Sequence, residues 1–337
     1  MRPARQDRSC GVFLQTPHAH PAGSRRTRMH PPAAARAASP GAEDHPRAKK
    51  VLKPAGAGGK MSSMYLPVLA LSPEDHEPAT PACPVCGGKG REALPRSNGY
   101  AYLRCGGCRL LFLSPRPRES VMRARYRTMA LEAAEAGASH LRPAHIRTLD
   151  ALGAPSPARK RLLDVGCGGG HLVALARARG WMAEGMDPSE PAADYARIRH
   201  GLRLHRELPP GPFDVITLVF VLEHVHDPVG RLGAVRERLA PGGRVACVTP
   251  WTAPLARWVP GSAWRASLLE APWHLSDFPP RALREAFQRA GLAIESMEPA
   301  GTGPRALVAA GRLLAGATRG RIHLPGLSLL TVAKALA

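Results

Sequence analysis

Leu162-Leu163-Asp164-Val165-Gly166-Cys167-Gly168-Gly169-Gly170 decides the fold. A short apolar run ends in an acidic residue, passes through a glycine-rich turn and enters a helical stretch near His171. That is a buried strand feeding a helix through a turn whose backbone can approach a ligand closely. The first amides of such a helix have no partner within it and suit a carboxylate or phosphate. A dinucleotide site of the G-x-G-x-x-G type needs glycine at position 171, where this chain has His171. Twenty-three residues beyond Asp164, Met186-Asp187-Pro188 places a second carboxylate at the end of the next apolar run. A ribose diol lies there when a ligand crosses the switch point of a parallel sheet. The alternative for Asp187 is a helix cap ahead of Pro188 and Ser189.

Outward from this stretch, short β-rich runs alternate with helical ones, the pattern of a doubly wound α/β sheet. The spacing predicts seven strands, at 161–165, 181–186, 202–205, 213–219, 243–249, 292–298 and 327–333. Residues 118–152 read as a helical linker, with Val121, Met122, Tyr126, Met129, Leu131, Leu141, Ile146 and Leu149 on loosely helical spacing. Residues 1–78 are rich in Pro, Ala, Arg and His without sustained periodicity, and are expected to be a disordered leader. Met61 and Met64 open more ordinary sequence and are candidates for the natural start.

Between leader and linker, residues 79–117 carry Cys83-Pro84-Val85-Cys86 and Cys105-Gly106-Gly107-Cys108, two C-x-x-C knuckles eighteen residues apart. This is the spacing of a four-cysteine zinc site of the zinc-ribbon kind. Two thiolates per tight turn converge on one ion, and the glycines let backbone amides point at the sulfurs. With Cys83, Cys86, Cys105 and Cys108 all bound, no position is open for water, so the expected role of the zinc is structural. Two disulfides, or four unrelated thiols, are the alternatives.

The run from Leu163 to Gly170 resembles the first motif of class I S-adenosylmethionine (SAM) dependent methyltransferases. Further pieces follow in that family's order. They are Phe213-Asp214-Val215-Ile216, Leu222-Glu223-His224-Val225-His226-Asp227-Pro228, Leu239-Ala240-Pro241-Gly242-Gly243, Trp273-His274-Leu275-Ser276-Asp277-Phe278 and Ala290-Gly291-Leu292. The later pieces are similar to ubiquinone-pathway O-methyltransferases, and the four-cysteine module joined to such a core also resembles sugar C-methyltransferases. The resemblance implies a Rossmann-like, seven-stranded sheet with its last strand antiparallel, forming a catalytic domain over residues 153–337. It implies SAM as cofactor, with Asp164, Gly166, Gly168 and Gly170 around its methionyl and ribose portions and Asp187 on the ribose hydroxyls. In the resembling enzymes a Glu-His pair at the place of Glu223 and His224 is implicated in proton removal or metal binding. His274 is a further candidate base, with a plain loop role as its alternative. The family's acidic residue near adenine has Glu207 as its nearest counterpart, ahead of the short loop Leu208-Pro209-Pro210-Gly211-Pro212.

Methyl transfer asks little of a protein beyond alignment and proton removal. The expected acceptor is a small molecule with an O, N or C nucleophile. Trp251, Trp258, Trp264 and Trp273 make residues 250–277 a candidate lid over it, and residues 304–317 read as an amphipathic helix that could join the cover. The 337-residue chain has a formal charge of +21, of which +9 falls in residues 1–60. The rest is spread without basic runs or basic-aromatic interleaving, so nucleic acid is not the expected partner. No stretch approaches ~18 consecutive apolar residues, and no apolar segment follows the first arginines, which points to a cytoplasmic protein. Two other readings compete: a binding protein with a non-catalytic SAM domain, and a methyltransferase acting on RNA or protein.

Overall fold

The computed structural model describes residues 71–94, 96, 99–127, 141–252, 269–302, 305–318, 322–324 and 327–336. The leader to residue 70, the linker positions Met129 and Leu131, and Trp258 and Trp264 lie outside the described residues.

Three short strands, β1 (Gly90–Glu92), β2 (Tyr102–Cys105) and β3 (Leu111–Leu113), carry the cysteine region. Residues 71–78, read from sequence as the end of the leader, lie against it. His76 bridges to Pro117, and the Glu77 amide donates to the Arg116 carbonyl at 2.9 Å. The linker forms helices α1 (Glu119–Arg127) and α2 (Arg142–Leu152). There follow β4 (Arg161–Val165), α3 (His171–Ala178), β5 (Met182–Met186), α4 (Glu190–His200) and β6 (Phe213–Val219). A single 3-10 turn at Leu222–His224 leads to α5 (Pro228–Arg236), β7 (Leu239–Thr249), β8 (Ser276–Asp277) and α6 (Pro280–Arg289). The chain closes with β9 (Leu292–Pro299), α7 (Arg305–Ala317) and β10 (Leu329–Ala335). Local chemistry sets several limits. Ser189 caps α4 by accepting from the Ala192 amide at 3.3 Å, and Asp227 caps α5 by accepting from the Gly230 amide at 2.8 Å.

The large sheet has the order β5-β4-β6-β7-β10-β9. β4 runs parallel to β5 and β6, β6 parallel to β7, and β10 antiparallel to both β7 and β9. The last strand is thus inserted antiparallel, as the resemblance implies. Six of the seven expected strands form this sheet. The remaining segment, 202–205, contributes only a parallel bridge between His205 and Met186. Gly201 ends α4 in the left-handed region at φ +64, and the proline-rich loop begins at Leu208. Too little extended chain remains between them for a ladder, and proline cannot supply the missing donors.

Alternation along the strands fills two core faces. Leu163, Val165, Ile216 and Leu218 face α5 and α6 through Leu232, Val235, Leu283 and Phe287. Leu162, Val215 and Val219 face α2, α3 and α4 through Leu149, Leu172, Val173 and Ala196. Each fully buried side chain of this size stabilises by about 1.5–3 kcal/mol. Among the described residues, no helix is long and apolar enough to cross a membrane.

Candidate active site

Because β4, β5 and β6 are parallel neighbours, their carboxyl ends open on one edge of the sheet, where the order reverses around β4. The glycine loop leaves β4 there. Gly166 and Gly170 lie at φ +68 and +77, and an added Cβ would stand 2.6 Å from Val221 Cγ2 or 2.7 Å from Leu202 Cδ1. Gly168, at φ +50, faces open space. Asp187, at the end of β5, accepts from the Gly168 amide at 2.8 Å through Oδ2 and from the Ser189 amide at 2.9 Å through Oδ1. The cap of α4 is Ser189, which leaves Asp187 to tie the glycine loop to β5. Asp164 is buried with a single hydrogen bond, Thr217 Oγ1 donating to its Oδ1 at 2.6 Å. Burial raises its pKa to about 7, and the nearby Asp187 charge adds to the rise. Burial raises Asp187 as well, opposed by its two amide bonds. Two carboxyls held above their ordinary range beside an open glycine suit a ligand bearing a cation and hydroxyl donors. Glu207 is exposed, two residues beyond His205, whose carbonyl accepts from the Asp187 amide at 3.0 Å.

The turn after β6 brings the second group of residues. Phe220 adopts φ +57, a conformation that costs a non-glycine residue about 1–3 kcal/mol. It turns the chain into Leu222–His224. Glu223 is fully buried, and neither carboxylate oxygen has a hydrogen-bond partner. Its pKa is driven well above the carboxylate range, first by burial and then by Glu270 and Asp277. His224 Nδ1 lies 2.9 Å from the Trp273 carbonyl and 3.0 Å from the Tyr126 hydroxyl. A carbonyl only accepts, so this contact assigns the proton to Nδ1 and leaves the Nε2 lone pair free. Burial pushes the His224 pKa down to about 4, so the ring is neutral at pH 7. His274 packs edge-on against His224 with centroids 4.8 Å apart, and its Nε2 is 3.7 Å from Glu270 Oε2. Burial and then His224 lower its pKa well below the ordinary value. Glu223, His224 and His274 present ligand atoms within 4.8 Å of one another, a spacing that could also hold a divalent ion.

Sequence reasoning missed Tyr126 and Glu270. Tyr126 is one of the helically spaced positions of the linker, and that spacing does not mark it as a site residue. Glu270 is raised to about 7 by burial and sits four residues before His274, which was its only signal.

The four cysteines converge. Cys83 and Cys108 sulfurs are 3.5 Å apart, those of Cys86 and Cys105 3.4 Å, and all four lie within 4.8 Å of one another. Tetrahedral zinc with bonds of ~2.3 Å would set sulfurs about 3.8 Å apart. All four are free thiols. The Val85 and Cys86 amides point at Cys83 sulfur, and the Gly107 and Cys108 amides at Cys105 sulfur. Gly88 leaves room for this, since a Cβ there would press on Cys86 and Cys105 sulfurs at 3.2 Å. The donor set and its amide support fit a structural zinc.

Residues 138–297 match the family model described as a methyltransferase domain. A ubiquinone biosynthesis O-methyltransferase from Idiomarina loihiensis is 36% identical over 99 residues, 26% of this chain and 40% of that protein. The enzyme of the same name from Thiobacillus denitrificans is 39% identical over 100 residues, again 26% of this chain and 43% of that protein. The chain therefore spans about two fifths of the length of these curated relatives. Among solved structures, an S-adenosylmethionine dependent methyltransferase from Mesorhizobium loti is similar at 24% identity and a TM-score of 0.42, over 58% of this chain and 97% of that one. A geranyl diphosphate C-methyltransferase from Streptomyces coelicolor is similar at 20% identity and a TM-score of 0.44, over 61% of this chain and 83% of that one.

Proposed function

We propose that the chain is a class I, SAM-dependent methyltransferase that transfers the methyl group to a small-molecule acceptor, with a hydroxyl oxygen as the favoured nucleophile. One observation carries the reading. A Cβ at Gly166 would stand 2.6 Å from Val221 Cγ2, and Val221 is two residues before Glu223, so the glycine loop and the turn carrying Glu223 and His224 adjoin on one sheet edge. The relatives named ubiquinone biosynthesis O-methyltransferases support oxygen as the acceptor atom.

SAM, when bound, supplies an electrophilic methyl carbon on a sulfonium. Asp187 would hold the ribose hydroxyls, because each carboxylate oxygen retains acceptor capacity beyond its amide bond. Gly166, Gly168 and Gly170 would let the backbone close on the cofactor, with Asp164 beneath the loop. His224 Nε2 would take the acceptor's proton as the oxygen–carbon bond forms and the carbon–sulfur bond breaks. The proton would rest on His224 until product release returns it to solvent, with a Glu223 carboxyl oxygen within 4.8 Å of a His224 ring nitrogen. His274 and Glu270 would line the acceptor side, where Trp273 and Tyr126 supply aromatic surface. Cys83, Cys86, Cys105 and Cys108 would hold a structural zinc.

Calorimetric titration of the reduced, zinc-replete protein with SAM, repeated on Asp187→Ala, tests this reading. Micromolar binding by wild type that weakens at least ~30-fold in the variant, about 2 kcal/mol for lost charged hydrogen bonds, is the expected result. Folded wild type that does not bind SAM would refute the catalytic reading.

A further inference from the structure

The cysteine region and the acceptor side of the candidate site are built into one another. β8, from late in the chain, completes the small sheet in the order β1-β2-β3-β8. It pairs antiparallel with β3, Leu111 opposite Asp277 and Phe112 opposite Ser276. Just before it, the Leu113 amide donates to the Leu275 carbonyl at 2.9 Å, and the Leu275 amide donates to the Glu223 carbonyl at 2.8 Å. A continuous hydrogen-bonded path thus runs from β3 to the backbone of Glu223. Tyr102 adds a second tie. Its ring is 1% exposed, and its hydroxyl lies 3.0 Å from the carbonyls of both Leu269 and His274. Tyr102, Leu111 and Leu113 also share one apolar cluster with Leu269, Ala271 and Leu275.

Both ends of this frame meet the thiols. Cys105 ends β2, three residues after Tyr102, and Cys108 precedes β3 by three. Cys83, Cys105 and Cys108 are buried in the same core cluster as Phe213, Phe278 and Phe287, so the knuckles face the catalytic sheet. A module that grips a macromolecule would present its recognition surface outward. This one presents its metal-binding core inward.

We propose that the four-cysteine module is a positioning device for the acceptor half of the active site. Through Tyr102 and the β3 edge, metal bound at Cys83, Cys86, Cys105 and Cys108 holds residues 269–277, and with them His274 and the Glu223 backbone. The SAM half hangs on β4 and β5 instead, through the Gly166 and Cys167 amides donating to the Met186 carbonyl at 2.7 and 3.0 Å. Loosening the module therefore disturbs the acceptor half and spares the SAM half. The inference rests on reading Glu223, His224 and His274 as the acceptor site.

The test compares full-length wild type with Tyr102→Phe, and with wild type stripped of metal by a chelator under reducing conditions and then reloaded with zinc. Amide hydrogen exchange at residues 273–275 should accelerate on the order of tenfold in both perturbed proteins, the equivalent of one lost buried hydrogen bond. Exchange at Gly166 and Cys167, and SAM affinity by calorimetry, should stay within about twofold. The ring resonances of His224 and His274 in ¹³C-histidine-labelled protein should shift, and zinc reloading should restore the stripped sample. Unchanged exchange at 273–275 in either protein overturns the proposal, as does acceleration that is equal at Gly166 and Cys167. Wild type that never binds SAM would refute the function proposed above while leaving the exchange comparison readable.

Discussion

Replacing Asp164 with asparagine separates what this carboxyl costs the fold from what it does for a ligand. The side chain is 3% exposed, takes one hydrogen bond from Thr217 at 2.6 Å, and has its pKa raised by burial from 3.8 to about 7. Asparagine keeps the shape and the Thr217 bond and never ionises. Because the folded pKa lies above the unfolded one, the folded state holds this proton more tightly. The associated stability is complete below about pH 3.8 and is lost as pH rises through about 7. At ~1.36 kcal/mol per pKa unit, the loss is at most ~4 kcal/mol at pH 8 and ~1–2 kcal/mol at pH 5. The advantage of Asp164→Asn over wild type should therefore widen by ~2–3 kcal/mol between those pH values, measured by urea unfolding without SAM. SAM affinity should move the other way. Wild type should bind more tightly as pH passes about 7 and the carboxylate becomes free to meet a cationic ligand, while the variant binds weakly and without that pH dependence. A stability gap identical at pH 5 and pH 8 would refute the reasoning, because it would mean that Asp164 is not titrating as a desolvated acid.

Gly166→Ala should lower SAM affinity at least ~10-fold by calorimetry and destabilise the fold by about 1–3 kcal/mol, since φ is +68 and the new Cβ would lie 2.6 Å from Val221 Cγ2. Cys105→Ser should reduce zinc from about one per chain to well under half by metal analysis of the reduced protein, with a lower unfolding temperature. His224→Ala should slow methyl transfer by about 10²–10⁴ in a radiolabelled-methyl assay while SAM affinity stays within ~2-fold. With the His224 pKa near 4, wild-type transfer should be insensitive to this group above about pH 5.

Much of this architecture is legible in the sequence, and the limits of that legibility are physical. β4 and β6 stand where the apolar runs place them, at Arg161–Val165 and Phe213–Val219, because central parallel strands are buried on both faces and read as continuous apolar stretches. The segment 202–205 carries the same signal, yet between a helix-ending glycine and a proline-rich loop it makes one bridge. Local pattern reports the tendency to extend and is blind to whether a neighbour has room to pair. The two-residue β8 has no local signal at all; it exists because β3 offers an edge to a segment distant in the chain. The two knuckles were legible because zinc spacing is a local constraint. Their burial against Phe278 and Phe287 was not, because it depends on where distant helices come to rest.

The same distinction explains the site. Residue type and order mark Asp164, Asp187 and the Glu223-His224 pair, but desolvation makes them chemically unusual, and desolvation belongs to the fold. Glu223 is fully buried with both oxygens unpartnered, and Glu270 and Asp277 act on it in the same repulsive sense. An unpaired buried carboxyl is among the costliest groups a core can hold, and an apolar residue of similar volume would stabilise the protein. Nothing in the packing of β6 requires an acid there. The cost is offset only when a proton, a cation or a hydrogen-bond donor arrives from outside the chain. In the function proposed above that group is the acceptor substrate, which is why Glu223 is assigned to its side of the site.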